Sequence, residues 1–214
     1  MACIETDNLS VSFNEITLWQ GLSLRIEHGR RVRIAGPSGC GKSTLFKCLM
    51  GFVPNLSGLI RIDRQELNAE NVWTIRQKLA YLAQEPDLGS GPVLARLQEP
   101  FAYRRNAGIR FDIDRLHHWL EYYYLPREIL NKDTGALSGG EKQRLGVILA
   151  ILLQRTIFLL DEPVSAMDAR SRRRFIDMFA DHPEWTVLFI SHDQSLAELA
   201  EETIDLSAVN GAAR

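Results

Sequence analysis

The chain has 214 residues, a formal net charge of −2, 45% apolar residues and 24% charged residues, enough for one domain with a real core and too balanced for the electrostatic footprint of a nucleic-acid binder. Its longest apolar run, "LGVILAILL" at 145–153, is far shorter than the ~18 residues of a membrane span, so any spans must come from another chain. Cys3, Cys40 and Cys48 form no disulfide or zinc pattern, and "MACIETDNLS" lacks the apolar core of a secretion signal, so a reduced cytosolic setting is expected.

In chain order, the first third reads as strands. "LSLRIEHG" alternates apolar and polar residues and ends in a hairpin-like turn at Gly29; "RRVRIAG" is a strand running into a glycine-rich loop. "KSTLFKCLMG" has helical spacing and stops at Gly51, and "GLIRID" at 58–63 alternates again. From 87 to 137 the pattern turns helical: in "FDIDRLHHWLEYYYLP" Ile113, Leu116, Trp119, Leu120 and Tyr123 share a face, closed by Pro126. We expect core packing from this aromatic cluster. The last third alternates helix and strand: "EKQRLGVILAILL", "TIFLLD", "DARSRRRFIDMFAD", "TVLFIS", "QSLAELAEE" and the short strand "TIDLS". The basic run Arg170, Arg172, Arg173 and Arg174 reads as a solvated helix face. The alternation predicts an α/β chain with a doubly wound parallel core. An N-terminal antiparallel β subdomain and a helical insertion complete it, with 1–86 and 138–214 as core and 87–137 as the helical subdomain.

"GPSGCGKST" at 36–44 lies between the predicted strand and helix, where Gly36, Pro37, Ser38, Gly39, Cys40, Gly41, Lys42, Ser43 and Thr44 form a phosphate cradle. Its backbone amides wrap an anion, the helix N-terminus points at it, Lys42 supplies a point charge and Ser43 an oxygen for Mg²⁺. Asp161 and Glu162 end a buried strand, where two adjacent carboxylates are costly without a cation nearby. Asp161 is placed on metal-bound water and Glu162 on the attacking water. "LSGGE" at 137–141 is a second loop of this kind, with Ser138, Gly139 and Gly140 opening a helix.

These motifs together resemble the ATP-binding cassette family, over nearly the whole chain, which implies a core of P-loop NTPase (RecA-like) type. The resemblance implies a head-to-tail dimer of ATPase subunits, two ATP molecules held between them. Ser138, Gly139, Gly140 and Glu141 would then serve as the signature loop acting in trans on ATP in the other subunit's P-loop. By the same resemblance Gln84 in "YLAQEP" is a Mg²⁺ ligand at the hinge into the helical insertion, and Asp168 in "SAMD" belongs to the D-loop. His192 in "FISHD" contacts the γ-phosphate, and Phe13 stacks on adenine, with Trp19 as second choice. Glu162 and His192 are the catalytic pair, and Ser43, Gln84 and Asp161 the metal ligands. The implied function is Mg²⁺-dependent ATP hydrolysis that powers a separate transmembrane permease subunit. A homodimer peripheral on the cytoplasmic face of the cell membrane is expected, and no nucleic-acid partner. "LQEPFAYRRN" and "YLPREILNKDTGALSGGEKQR" are similar to a bacterial subgroup for metal, notably iron, export. The alternative is a soluble ATPase of the same family that is not involved in transport, for example of the iron–sulfur assembly type.

Overall fold

The computed structural model describes residues 2–13, 16–54 and 56–207. Strands β1 (Ala2–Phe13), β2 (Ile16–Glu27), β4 (Leu56–Ile62) and β5 (Gln65–Glu66) form an antiparallel sheet in the order β2-β1-β4-β5. Strands β3 (Arg31–Ala35), β6 (Leu79–Leu82), β7 (Ile157–Asp161), β8 (Thr186–Ile190) and β9 (Glu202–Asp205) form a parallel sheet in the order β6-β7-β8-β3-β9. Gly29 does make a turn, yet β2 and β3 lie in different sheets, so the turn is a corner between layers and not a hairpin.

The parallel strands read as continuous apolar runs because both faces are covered. In β7, Ile157 and Leu159 enter the core shared with the antiparallel sheet and helix α1 (Lys42–Leu49). Phe158 and Leu160 enter a second core on the opposite face. The short helix α2 (Val72–Arg76) leads into β6. Between β6 and Ser138 come helices α3 (Val93–Gln98) and α4 (Ile113–Tyr122), with 3₁₀ turns at Glu99–Ala102, Arg104–Asn106, Arg127–Asn131 and Thr134–Ala136. Helices α5 (Gly139–Leu152) and α6 (Ala169–Ala180) pack this segment onto the second core.

Two further local expectations are corrected. Leu116, Leu120 and Tyr123 are buried, but Ile113 is exposed, since Asp112 caps α4 and sets its first turn outside the packed stripe. "QSLAELAEE" is not an α-helix: Gln194–Leu199 is 3₁₀, with Leu196 and Leu199 buried at its three-residue repeat, and the chain straightens where Arg31 holds Glu201 at 2.7 Å. The basic run is a solvated face, as expected, with Arg170 and Arg173 exposed, and it also makes contacts. The guanidinium of Arg170 lies 3.4 Å from the Tyr124 ring centroid, Arg174 donates to the Tyr124 hydroxyl at 2.9 Å, and Arg172 pairs with Asp193 at 2.9 Å.

Candidate active site

Parallel topology brings the far-apart motifs together. The P-loop follows β3, Gln84 follows β6, Asp161 and Glu162 end β7, and His192 follows β8. All four strands run the same way, so these loops share one edge of the sheet, where α/β sheets place their ligands. One cavity of about 510 Å³ results. Ser38, Gly39, Gly41, Lys42, Ser43 and Thr44 line one side; Gln84, Asp161, Glu162 and His192 line the other.

The loop's shape has an identifiable support. Gly41 has φ +95°, and a Cβ there would stand 2.6 Å from the indole of Trp19, so only glycine fits. Trp19 is fully buried and its Nε1–H donates to the Cys40 carbonyl at 2.8 Å. It therefore props the loop from inside the core and cannot stack on adenine. Its neighbour Leu18, on the opposite face of β2, lines the cavity instead, a site residue the sequence reading passed over. Phe13 ends β1, and its side chain lies outside the described residues. Cys40 turns its thiol into the core, and Pro37, lacking an N–H, offers its carbonyl to Lys42 at 3.0 Å. Lys42 Nζ also donates to the Gly36 carbonyl at 2.8 Å, so the ammonium lies over the loop.

Asp161 is buried and, among the described residues, pairs with no cationic side chain. Burial, with the Asp161 carboxylate nearby, pushes the Tyr81 phenol up to about 12. Hydroxyl, amide and carboxylate oxygens of Ser43, Gln84 and Asp161, which line the same cavity, are a donor set suited to a hard divalent cation. Glu162 has φ +48°, a left-handed backbone that costs a non-glycine residue about 1–2 kcal/mol. Its amide donates to the Ile190 carbonyl at 2.9 Å, which ties it to β8. The His192 amide donates to Glu162 Oε2 at 3.3 Å, and the imidazole Nε2 lies 3.7 Å from Oε1 with its ring largely exposed.

Ser138, Gly139, Gly140 and Glu141 line no part of this cavity. Ser138 caps α5 in a capping box: its hydroxyl accepts from the Glu141 amide at 3.2 Å, and the Glu141 carboxylate accepts from the Ser138 amide at 2.7 Å. Burial opposes the Glu141 anion, but the Ser138 donors and Lys132 outweigh it and hold this carboxyl below its ordinary range. The first amides of α5 stay unused by the helix, as at any helix start. A Cβ on Gly140 would meet the Ala166 carbonyl at 2.4 Å, so this turn rests directly on the 165–168 loop. Asp168 caps α6, accepting from the Ser171 amide at 2.8 Å.

Elsewhere, Cys3, His28 and Asp63 come within 4.8 Å of one another, a cluster the scattered cysteines did not foretell. Lys78 already neutralises it, its ammonium 2.6 Å from Asp63, and burial pushes the Cys3 thiol up to about 12.

A glycine-cradled phosphate site, a buried acid at a strand tip and a parallel sheet define a P-loop ATPase. A family model described as ABC transporter matches residues 19–165. The energy-coupling factor transporter ATP-binding protein EcfA1 of Ligilactobacillus salivarius is 32% identical over 212 residues, covering 95% of this chain and 74% of that protein. The probable iron export ATP-binding protein FetA of Escherichia coli is 29% identical over 207 residues, covering 95% and 90%. The spermidine/putrescine import ATP-binding protein PotA of Fusobacterium nucleatum is 32% identical over 198 residues, but this chain spans only 50% of it. In structure the chain matches the dimeric post-hydrolysis ATP-binding cassette MJ0796 bound to ADP and Pi, with TM-score 0.80, 25% identity and coverage of 94% and 93%. A bacterial Atm1-family ABC exporter shares the fold at TM-score 0.80, covering 94% of this chain and 36% of that one. The chain belongs to the ABC transporter family, as a subunit that binds and hydrolyses ATP.

Proposed function

We propose that two copies of this chain close on two ATP molecules and drive a membrane-spanning partner from its cytoplasmic face. The supporting observation is that the Ser138 helix start, a second anion-binding turn, is kept out of its own chain's cavity. A turn so placed is free to complete a site on a second subunit, and the MJ0796 cassette, similar over nearly its whole length, is a dimer. No helix among the described residues is long and apolar enough to cross a membrane.

In this reading the P-loop amides and Lys42 hold the triphosphate, and Phe13 packs on adenine. Ser43, Gln84 and Asp161 would hold Mg²⁺, which supplies charge neutralisation for the phosphates when bound. Glu162 accepts a hydrogen bond from the attacking water and aims it in line, and His192 donates to the γ-phosphate oxygens. Ser138 and the Gly139 and Gly140 amides of the second copy cap the open side of the γ-phosphate. Segment 87–137 carries the motion of Gln84 to the membrane partner. We place metal-ion export first among solutes, because FetA is matched over 90% of its length, against 74% for EcfA1 and 50% for PotA. Glu162→Gln should keep ATP binding, lose turnover by about 100-fold or more and accumulate an ATP-bound dimer on size exclusion. Undiminished phosphate release by that variant would end the assignment.

A further inference from the structure

Gln143 is fully buried in α5, in a position that a helix facing an apolar core normally gives to a hydrocarbon. It lies outside the cavity at the sheet edge, yet it reaches three loops that meet there. Its Nε2 lies 3.1 Å from the Gln84 carbonyl, 3.1 Å from Ser165 Oγ and 3.3 Å from the Glu162 carbonyl. Its Oε1 accepts from the Ala166 amide at 3.3 Å.

A primary amide has two N–H donors, and three acceptors are within reach. The two shorter bonds, to Gln84 and Ser165, use both hydrogens. The Glu162 carbonyl is then served by the Ser165 hydroxyl at 3.0 Å and the Ser165 amide at 3.2 Å. If the Gln84 loop withdraws, the freed hydrogen is not orphaned, because it turns to the Glu162 carbonyl. Glu162 sits in a strained left-handed backbone, so its peptide plane responds to which donors its carbonyl has. We infer that Gln143 is a positioning residue that ties the orientation of Glu162 to the place of the Gln84 loop by exchanging one acceptor for another. The inference rests on the roles given above to Glu162 and Gln84. It adds a route between them through a residue that touches neither nucleotide nor metal.

Gln143→Met keeps the volume and removes the polar atoms. In the full chain it should lower kcat for MgATP by about tenfold or more and leave the Kd of a fluorescent ATP analogue within about threefold. A kcat within about twofold of the parent, or a loss confined to Kd, overturns the inference. Gln143→Glu gives a second reading should the first variant fold poorly. A buried carboxylate cannot donate to the Gln84 or Glu162 carbonyl, so at pH 8 its kcat should also fall by about tenfold or more, with the Kd of the fluorescent ATP analogue within about threefold. A kcat within about twofold of the parent overturns the inference. Glu162→Gln separates the two levels: turnover by that variant sinks the underlying assignment. An inactive Glu162→Gln beside a fully active Gln143→Met sinks this inference alone.

Discussion

Trp19→Phe tests how the phosphate loop is held open. The change keeps an aromatic ring in the core and removes the indole N–H that reaches the Cys40 carbonyl at 2.8 Å. A buried carbonyl stripped of its donor costs about 1–3 kcal/mol. The smaller ring also leaves a void next to Gly41, adding about 1 kcal/mol. The sum, about 2–4 kcal/mol, converts at about 2–4 °C per kcal/mol for a chain of this size, so Tm should fall by about 5–15 °C. The lost contact lies under the nucleotide cradle, so part of the cost reappears on binding, where a less preorganised loop should weaken ADP by about three- to tenfold. Circular dichroism melts with and without ADP, and calorimetric titration of ADP, read both numbers. A melting point within about 2 °C of the parent, with unchanged ADP affinity, would show that the indole bond does not shape the loop.

Mixing Ser138→Arg chains with Lys42→Ala chains leaves one composite site intact in each mixed dimer, so about a quarter of parental ATPase should return from two inactive preparations. No recovery, with mixed dimers demonstrated by cross-linking, would remove the shared site. Asp168→Asn concerns stability against pH. The Ser171 amide, as the largest influence, holds the Asp168 carboxyl below its ordinary range. A depressed folded-state pKa contributes stability that is complete above the unfolded value near ~4 and is lost as pH falls through the folded one. The variant should therefore melt below the parent at neutral pH and converge with it below about pH 3; parallel Tm curves down to that pH would contradict the cap.

Much of the site was written in local sequence. "GPSGCGKST" between a strand and a helix, "LLDEP" at the end of an apolar run, and Ser138 with Glu141 three residues on are patterns whose chemistry depends on immediate neighbours. They could be read without knowing where the chain goes next. What the sequence left open depends on which side of an element meets the core. Alternation along β2 separates Leu18 from Trp19 but does not say which faces the cavity; the packing of the antiparallel sheet onto the parallel one does. Gln143 carries a faint local signal, because Gly140, Gln143, Val147 and Ile151 form one buried stripe of α5, yet its partners lie 59, 19 and 22 residues away. The contacts that Arg170 and Arg174 make with Tyr124 had no signal in the sequence, because they need the 122–124 turn laid against α6. Local chemistry needs only neighbours in the chain, and the sequence determined it. The meeting of Gln84, Glu162 and His192 at one edge rests on the strand order β6-β7-β8-β3, a pairing over long separations that only the folded packing decides.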